Sequence, residues 1–184
     1  MKTRELTIDG QKVIGEYIGE GLFSKAYKVG DKVFLLCQGD YSKECLALFA
    51  DQSLRHVPTI ERHEDIGDNQ VFSMPYYNKL TKKEYPQAFA QWRKLQNGLG
   101  ISAQGPKAIE ALIERLRIQG EQSLADAVSN MYEAFQNYAY HSIVFEFQKV
   151  NVSVNDKGEL ILRDCLADSE SINKKRKNKK GFAL

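Results

Sequence analysis

Between Leu6 and Cys37 the chain alternates short β-type runs with tight turns, which restricts this half to an antiparallel meander. Leu6-Thr-Ile8 and Gln11-Lys-Val-Ile14 flank Asp9-Gly10, a favoured two-residue hairpin turn. Tyr17-Ile18 leads into Gly19-Glu-Gly21, and Ala26-Tyr-Lys-Val29, Gly30-Asp31 and Lys32-Val-Phe-Leu-Leu-Cys37 follow. A helical pattern covers Tyr41 to Leu54, with Cys45, Leu46, Leu48 and Phe49 apolar and Ser42 as N-cap. His56-Val-Pro-Thr-Ile60 breaks it. Two more strands are expected, around Ile60 and at Gln70-Val-Phe-Ser-Met74, separated by Gly67-Asp68-Asn69.

After Pro75 the apolar period changes from two to that of a helix. Thr81-Lys-Lys-Glu84 has capping-box spacing ahead of a face made by Tyr85, Phe89, Trp92 and Leu95, and Asn97-Gly98 and Gly100 end that helix. Pro106 opens the next, with Ile109, Leu112, Ile113 and Leu116 inward and Gly120 at its close. Leu124, Val128, Met131, Phe135 and Tyr138 share one face of a third. These aromatic stripes read as core rather than as a cofactor box. A terminal hairpin follows, with Val150-Asn-Val-Ser-Val154 and Glu159-Leu-Ile-Leu162 around the turn Asn155-Asp156-Lys157-Gly158. A β-rich half followed by a helical half gives an α+β fold.

Hydrophobic content of 42% and charged content of 27% suit a soluble globular protein. No apolar run spans a bilayer and Met-Lys-Thr-Arg-Glu lacks a signal-peptide core, so a cytoplasmic protein with no membrane partner is expected. Cys37, Cys45 and Cys165 lack CxxC spacing and are expected to be reduced, buried thiols. His56, His63 and His141 lack the paired spacing of a zinc site. Charge is uneven: Lys174-Lys-Arg-Lys177 with Lys179 and Lys180 supply six positives in a run of seven, and without them the net of +2 falls to about −4. This run is either a solvated terminus or a handle for nucleic acid or an acidic protein surface.

Two features carry chemistry. Asn151 and Asp164 stand thirteen residues apart at the open end of the terminal hairpin, where two oxygen-bearing side chains can hold a divalent cation and with it a polyphosphate. Gly19-Glu-Gly21-Leu-Phe23-Ser24-Lys-Ala26-Tyr27 lies between two strand-like runs, and glycines there let backbone N–H groups approach phosphate oxygens. No helix opens directly after the glycines and no Gly-Lys-Ser/Thr is present, which excludes Rossmann and Walker readings.

The glycine stretch resembles the glycine-rich loop of protein kinases, with Ser24 in place of the third glycine and Ala26 in place of the usual valine. Leu54-Arg-His56-Val-Pro58-Thr-Ile60 resembles the segment after that family's αC helix. Val71-Phe-Ser-Met74-Pro-Tyr-Tyr77 is similar to its last N-lobe strand, a gatekeeper at Met74, and a hinge in which Pro75 offers a carbonyl and Tyr77 an N–H to adenine. Glu146, Asn151 and Asp164 stand at the places of the catalytic Asp and the two metal ligands, with Cys165-Leu166 where Phe-Gly would be. The pattern, over about residues 10–168, also resembles the early host-shutoff protein kinases of podovirus-type bacteriophages.

The resemblance implies a compact two-lobe kinase-like fold: 1–74 a β-rich N-lobe with one helix, 75–172 a truncated helical C-lobe with the catalytic hairpin, and 173–184 a basic tail. It implies ATP and Mg2+ as cofactors and host proteins in a bacterial cytoplasm as partners. Gly19, Gly21, Ser24, Lys25, Glu44, Met74, Pro75 and Tyr77 become the nucleotide set, Asn151 and Asp164 the metal ligands and Glu146 the base. Three departures qualify it. Leu35 stands where the third-strand lysine belongs, so Glu44 lacks the expected ion-pair partner and Lys25, Lys28 or Lys32 would have to substitute from a neighbouring strand. Glu146 is one methylene longer than Asp, and Val144-Phe145 replaces His-Arg. Fewer than ten residues separate Asp164 from the basic run, leaving no room for an activation segment. A minimal Ser/Thr phosphotransferase, a pseudokinase that binds and redirects a host protein, and an unrelated α+β binding domain all remain open.

Overall fold

The computed structural model describes residues 2–39, 41–97, 102–138, 143–170 and 172–174. The fold is α+β. Strands β1 (Thr3–Ile8), β2 (Gln11–Glu20), β3 (Ser24–Val29), β4 (Lys32–Cys37), β5 (Glu61–Ile66) and β6 (Asn69–Pro75) form an antiparallel sheet in the order β1-β2-β3-β4-β6-β5. The runs at Gln11–Ile14 and Tyr17–Ile18 join into one strand, with a bulge against β3 between Tyr17 and Gly19. The run around Ile60 becomes a strand only from Glu61.

Strand β4 is buried on both faces from Val33 to Cys37, which explains its unbroken apolar sequence. Phe34 and Leu36 join Leu6, Ile8, Tyr27 and Val71 in a small core inside the sheet's curl. Val33, Leu35 and Cys37 face the main core shared with the helices. The curl brings the two edge strands together. The Asp9 carboxylate accepts from the Glu64 N–H at 3.1 Å and meets His63 Nδ1 at 2.7 Å, while His63 Nε2 lies 2.8 Å from Ser73 Oγ. This Asp–His–Ser line is a clasp across the edges: Ser73 is 1% exposed, so a substrate carbonyl has no access to its hydroxyl. Inside the curl Gly15 permits the closest approach, since a Cβ there would stand 2.9 Å from Tyr27 Cβ and 3.3 Å from Leu6 Cδ1. Gly15→Val is therefore expected to cost at least about 1–3 kcal/mol by overpacking. A lower denaturant midpoint at unchanged slope in urea unfolding checks this.

Helix α1 (Tyr41–Phe49) ends earlier than Leu54. The Gln52 amide takes over there, donating to Leu46 O, Ala47 O and Ile60 O and accepting from Ile60 N–H at 2.8 Å. Helices α2 (Pro86–Gln96), α3 (Pro106–Ile118) and α4 (Gln122–Tyr138) follow the apolar periods read from sequence. Thr81 and Glu84 do hydrogen-bond, but they close a turn upstream of α2, which begins at Pro86. Gly98, Gly100, His141 and residues 175–184, with most of the basic run, lie outside the described residues. No helix among the described residues is long and apolar enough to cross a membrane.

A three-stranded sheet not expected from the sequence joins β7 (Ser102–Gln104), β8 (Ile143–Glu146) and β11 (Leu166–Asp168) in the order β11-β8-β7. The terminal hairpin is shorter than expected. Lys149–Asn151 forms a 3-10 turn, and only β9 (Ser153–Val154) and β10 (Leu160–Ile161) pair. His56, fully buried at φ 73°, ties the loop after α1 to this hairpin. Its Nδ1 lies 2.7 Å from Leu160 O, its Nε2 3.1 Å from Ser123 Oγ, and its carbonyl accepts from Leu162 N–H.

Burial depresses the His56 pKa, against the pull of the Leu160 carbonyl. Below pH 6.5, its ordinary value, the unfolded chain takes up a proton that the folded imidazole refuses, so stability falls as pH drops through that value towards the folded one. The contribution is at most about 1.4 kcal/mol per pH unit. Chemical denaturation of wild type between pH 7.5 and 5 should show this slope. His56→Asn, which tolerates positive φ, should remove it and cost roughly 1–3 kcal/mol from the lost buried bonds.

Candidate functional site

The hairpin end is held by its own backbone. Asp164 N–H donates to Asn151 O at 2.8 Å, Glu146 N–H to Cys165 O at 2.7 Å, and Asn151 Nδ2 to Glu146 O at 3.1 Å. This lattice sets Glu146, Asn151 and Asp164 side by side. From behind, Trp92 Nε1 and Gln96 Nε2 of α2 both donate to Phe147 O, fixing the loop that follows Glu146. In front, Asn78 and Val154 exchange backbone hydrogen bonds of 2.7 and 2.8 Å, so the strap leaving β6 is tied to β9.

A cleft of about 330 Å3 opens between the sheet and this hairpin. Gly19, Gly21, Ser24, Ala26 and Leu35 line it from the sheet, Met74 to Tyr77 from the strap, and Val150, Asn151, Arg163 and Asp164 from below. The volume lies in the range of small-molecule sites. A second cavity of about 200 Å3 adjoins it and shares Gly21, Ser24, Asn151 and Asp164 with it. Glu146 lines this second cavity with Ser42 and Asp168. Tyr76 N–H donates to Asp31 O at 2.7 Å, so the Pro75 carbonyl, on the opposite side of that peptide unit, points away from β4.

Lys43 supplies the feature the sequence reading missed. Its side chain is 3% exposed, lines the cleft and makes an ion pair with Asp164. It comes from the first turn of α1 rather than from a strand. Burial by itself would raise the Asp164 carboxyl pKa, although 49% of the side chain faces the open cleft. The Lys43 ammonium, its hydrogen bond and the Arg163 charge outweigh that and hold the carboxyl below its usual range. Arg163, also unforeseen, donates to Val150 O at 2.5 Å beside the same carboxylate. Cys165 is buried, and desolvation together with the Asp164 charge pushes its thiol far up, so it is inert at neutral pH. Burial likewise pushes Cys45 up to about 12.

Two residues of the nucleotide set fall outside both cavities. Lys25 is exposed on the face of β3 opposite Ser24 and Ala26, because side chains alternate along a strand. Glu44 accepts from Gln70 Nε2 at 3.0 Å instead of facing the cleft. The other substitutes are also engaged elsewhere: Lys28 lies 4.2 Å from the Tyr76 ring centroid and Lys32 pairs with Glu61 at 2.9 Å. Gly19, Gly21, Ser24, Met74, Pro75, Tyr77, Asn151 and Asp164 all line the first cleft.

The donor set suits a hard cation. Asn151 Nδ2 is committed to Glu146 O, which leaves Oδ1 as the amide acceptor, and Asn151 and Asp164 line the same cleft. Among the described residues no three His, Cys, Asp or Glu side chains converge as a metal site. One carboxylate and one amide oxygen match magnesium, which takes few protein ligands and completes its shell with phosphate and water. No protein-family model, curated protein or solved structure matches the chain.

Proposed function

We propose that the cleft binds Mg-ATP and that the protein is a minimal kinase-like phosphotransferase acting on serine or threonine hydroxyls of another protein. The observation that supports this most is the convergence of Lys43, Asn151 and Asp164 on a cleft edged by Gly19 and Gly21. A buried lysine in the first turn of a helix is disfavoured both by desolvation and by the partial positive charge of the helix N-terminus. A polyphosphate is a ligand that turns this arrangement to use.

In this reading Met74 to Tyr77 receive the adenine, with the Pro75 carbonyl and Tyr77 N–H as its polar partners. Lys43 holds phosphate oxygens from α1, the role a third-strand lysine has elsewhere. Asn151 and Asp164 would hold magnesium, which when bound neutralises charge on the transferring phosphoryl group. Glu146, reached through the second cavity, accepts the proton of the acceptor hydroxyl.

One observation favours the pseudokinase alternative: the Lys43 ion pair engages the carboxylate that a metal would need. Incubation with labelled ATP, magnesium and host lysate, beside an Asp164→Ala control, separates the two. Label transfer that the control abolishes is expected. Mg-ATP binding without label on any protein would leave only the binding role.

A further inference from the structure

We propose that the open end of the curled sheet is a ligand site separate from the cleft, which takes a small phosphate monoester between Arg4 and Lys25. A cavity of about 330 Å3 lies there, at the end of β2 away from the Asp9–His63 clasp. Leu6, Ile8 and Tyr27 point into the curl, so alternation turns Arg4 of β1 and Lys25 of β3 into it as well. Leu36, buried and opposite Lys25 in register, closes the apolar core beneath them. Leu22 and Phe23 of the glycine turn add an apolar wall. The mouth of a curled or closed sheet is a common place for a small-molecule site.

Charge decides what fits. Among the described residues neither the Arg4 nor the Lys25 side chain has a hydrogen-bond or ion-pair partner. Glu20 stands opposite Lys25 in register and lines the same cavity. Its carboxylate is engaged with Tyr17: burial first, and then the charge and hydrogen bond of Glu20, push up the pKa of that hydroxyl. Without the basic run the chain's net charge is about −4, so two unpartnered cations in one concave site stand out against it. A phosphate monoester carries about two negative charges at pH 7 and three acceptor oxygens, which match a guanidinium fork and an ammonium. A carboxylate leaves one of the two cations unmatched. The apolar floor and wall suit the organic half of a monoester, which inorganic phosphate lacks. Gly21 and Ser24 line both this cavity and the cleft, so the glycine turn is the wall between them. Gly21 N–H donates to Ser24 O and Gln38 N–H to Phe23 O, each at 2.8 Å, which holds that wall in place.

Phenyl phosphate titrated into the full chain at neutral pH and low salt, followed by calorimetry, tests the site. The expected result is one-to-one binding that Arg4→Gln and Lys25→Gln each weaken about tenfold, the usual effect of one charge-assisted hydrogen bond. The double variant should lose it. Benzoate should bind about tenfold more weakly, and inorganic phosphate more weakly as well. Affinity should fall as pH drops through about 6, where the phosphoryl group loses its second charge. In wild type, the amide NMR signals of Phe23, Lys25 and Gln38 should shift on titration while those of Asn151 and Asp164 stay, which locates the ligand without any variant. Binding undiminished in the double variant, or shifts confined to residues 174–180 or to Asn151 and Asp164, puts the anion elsewhere and overturns the site. Inorganic phosphate that binds as tightly as phenyl phosphate overturns the monoester assignment. Wild type that binds phenyl phosphate but no Mg-ATP keeps this site and loses the nucleotide reading. Wild type that binds Mg-ATP but no phenyl phosphate does the reverse.

Discussion

Lys43→Met is expected to weaken Mg-ATP binding roughly 10- to 100-fold while leaving a folded protein, because a charge-assisted hydrogen bond to phosphate is worth about 1.5–3 kcal/mol. Methionine has nearly the length of the lysine stem and suits a site that is 3% exposed. Truncating one member of a fully buried ion pair usually destabilises strongly, since the other charge is left uncompensated. Here Asp164, the ion-pair partner left behind, is 49% exposed to the cleft, so water can solvate it and its share of the penalty shrinks. Calorimetric titration of the variant with Mg-ATP, beside its thermal melt without ligand, separates lost binding from lost fold.

Glu146→Gln is expected to lower phosphoryl transfer roughly 10²- to 10⁴-fold, the usual range for removal of a positioned base, with Mg-ATP affinity unchanged. Glutamine keeps the shape, and the hydrogen bonds made by the Glu146 N–H and carbonyl are indifferent to the side chain. Of the two cavities described, Glu146 lines the second and not the first, so the proposed nucleotide contacts in the first are untouched. Loss of both binding and transfer would instead mean that the side chain holds the site together. Label incorporated per minute into a serine- or threonine-containing acceptor, measured at saturating Mg-ATP, reads the effect.

What was legible in the sequence was what short-range physics writes there. Strand β4 declares itself through five successive buried positions, and α3 through Pro106 at its first turn and Gly120 just after its end. The nearness of Asn151 and Asp164 followed from the hairpin turn between them, even though the pairing is reduced to β9 and β10. The sheet of β7, β8 and β11 was not legible. Its strands are three or four residues long, too short to show a period, and β11 pairs with β8 across the whole terminal hairpin. The Asp9–His63 clasp joins positions 54 residues apart with nothing local to announce it.

Lys25 and Lys43 show where closer reading could have reached further. Alternation along β3 already sets Lys25 on the face opposite Ser24 and Ala26. Lys43 precedes Leu46 by three residues, which places a charge on the buried stripe of α1, and a lysine there calls for a partner. The identity of that partner depended on where the hairpin docks, which helix periodicity does not carry.

The proposed binding of Mg-ATP in this cleft through Lys43, Asn151 and Asp164 is tested most directly by calorimetric titration of the wild-type protein with ATP in magnesium and again in EDTA. The expected result is saturable one-to-one binding in magnesium that EDTA abolishes and that the double variant Asn151→Ala, Asp164→Ala lacks. Absence of heat and of any thermal shift at millimolar Mg-ATP, or equal binding by the double variant, would contradict it.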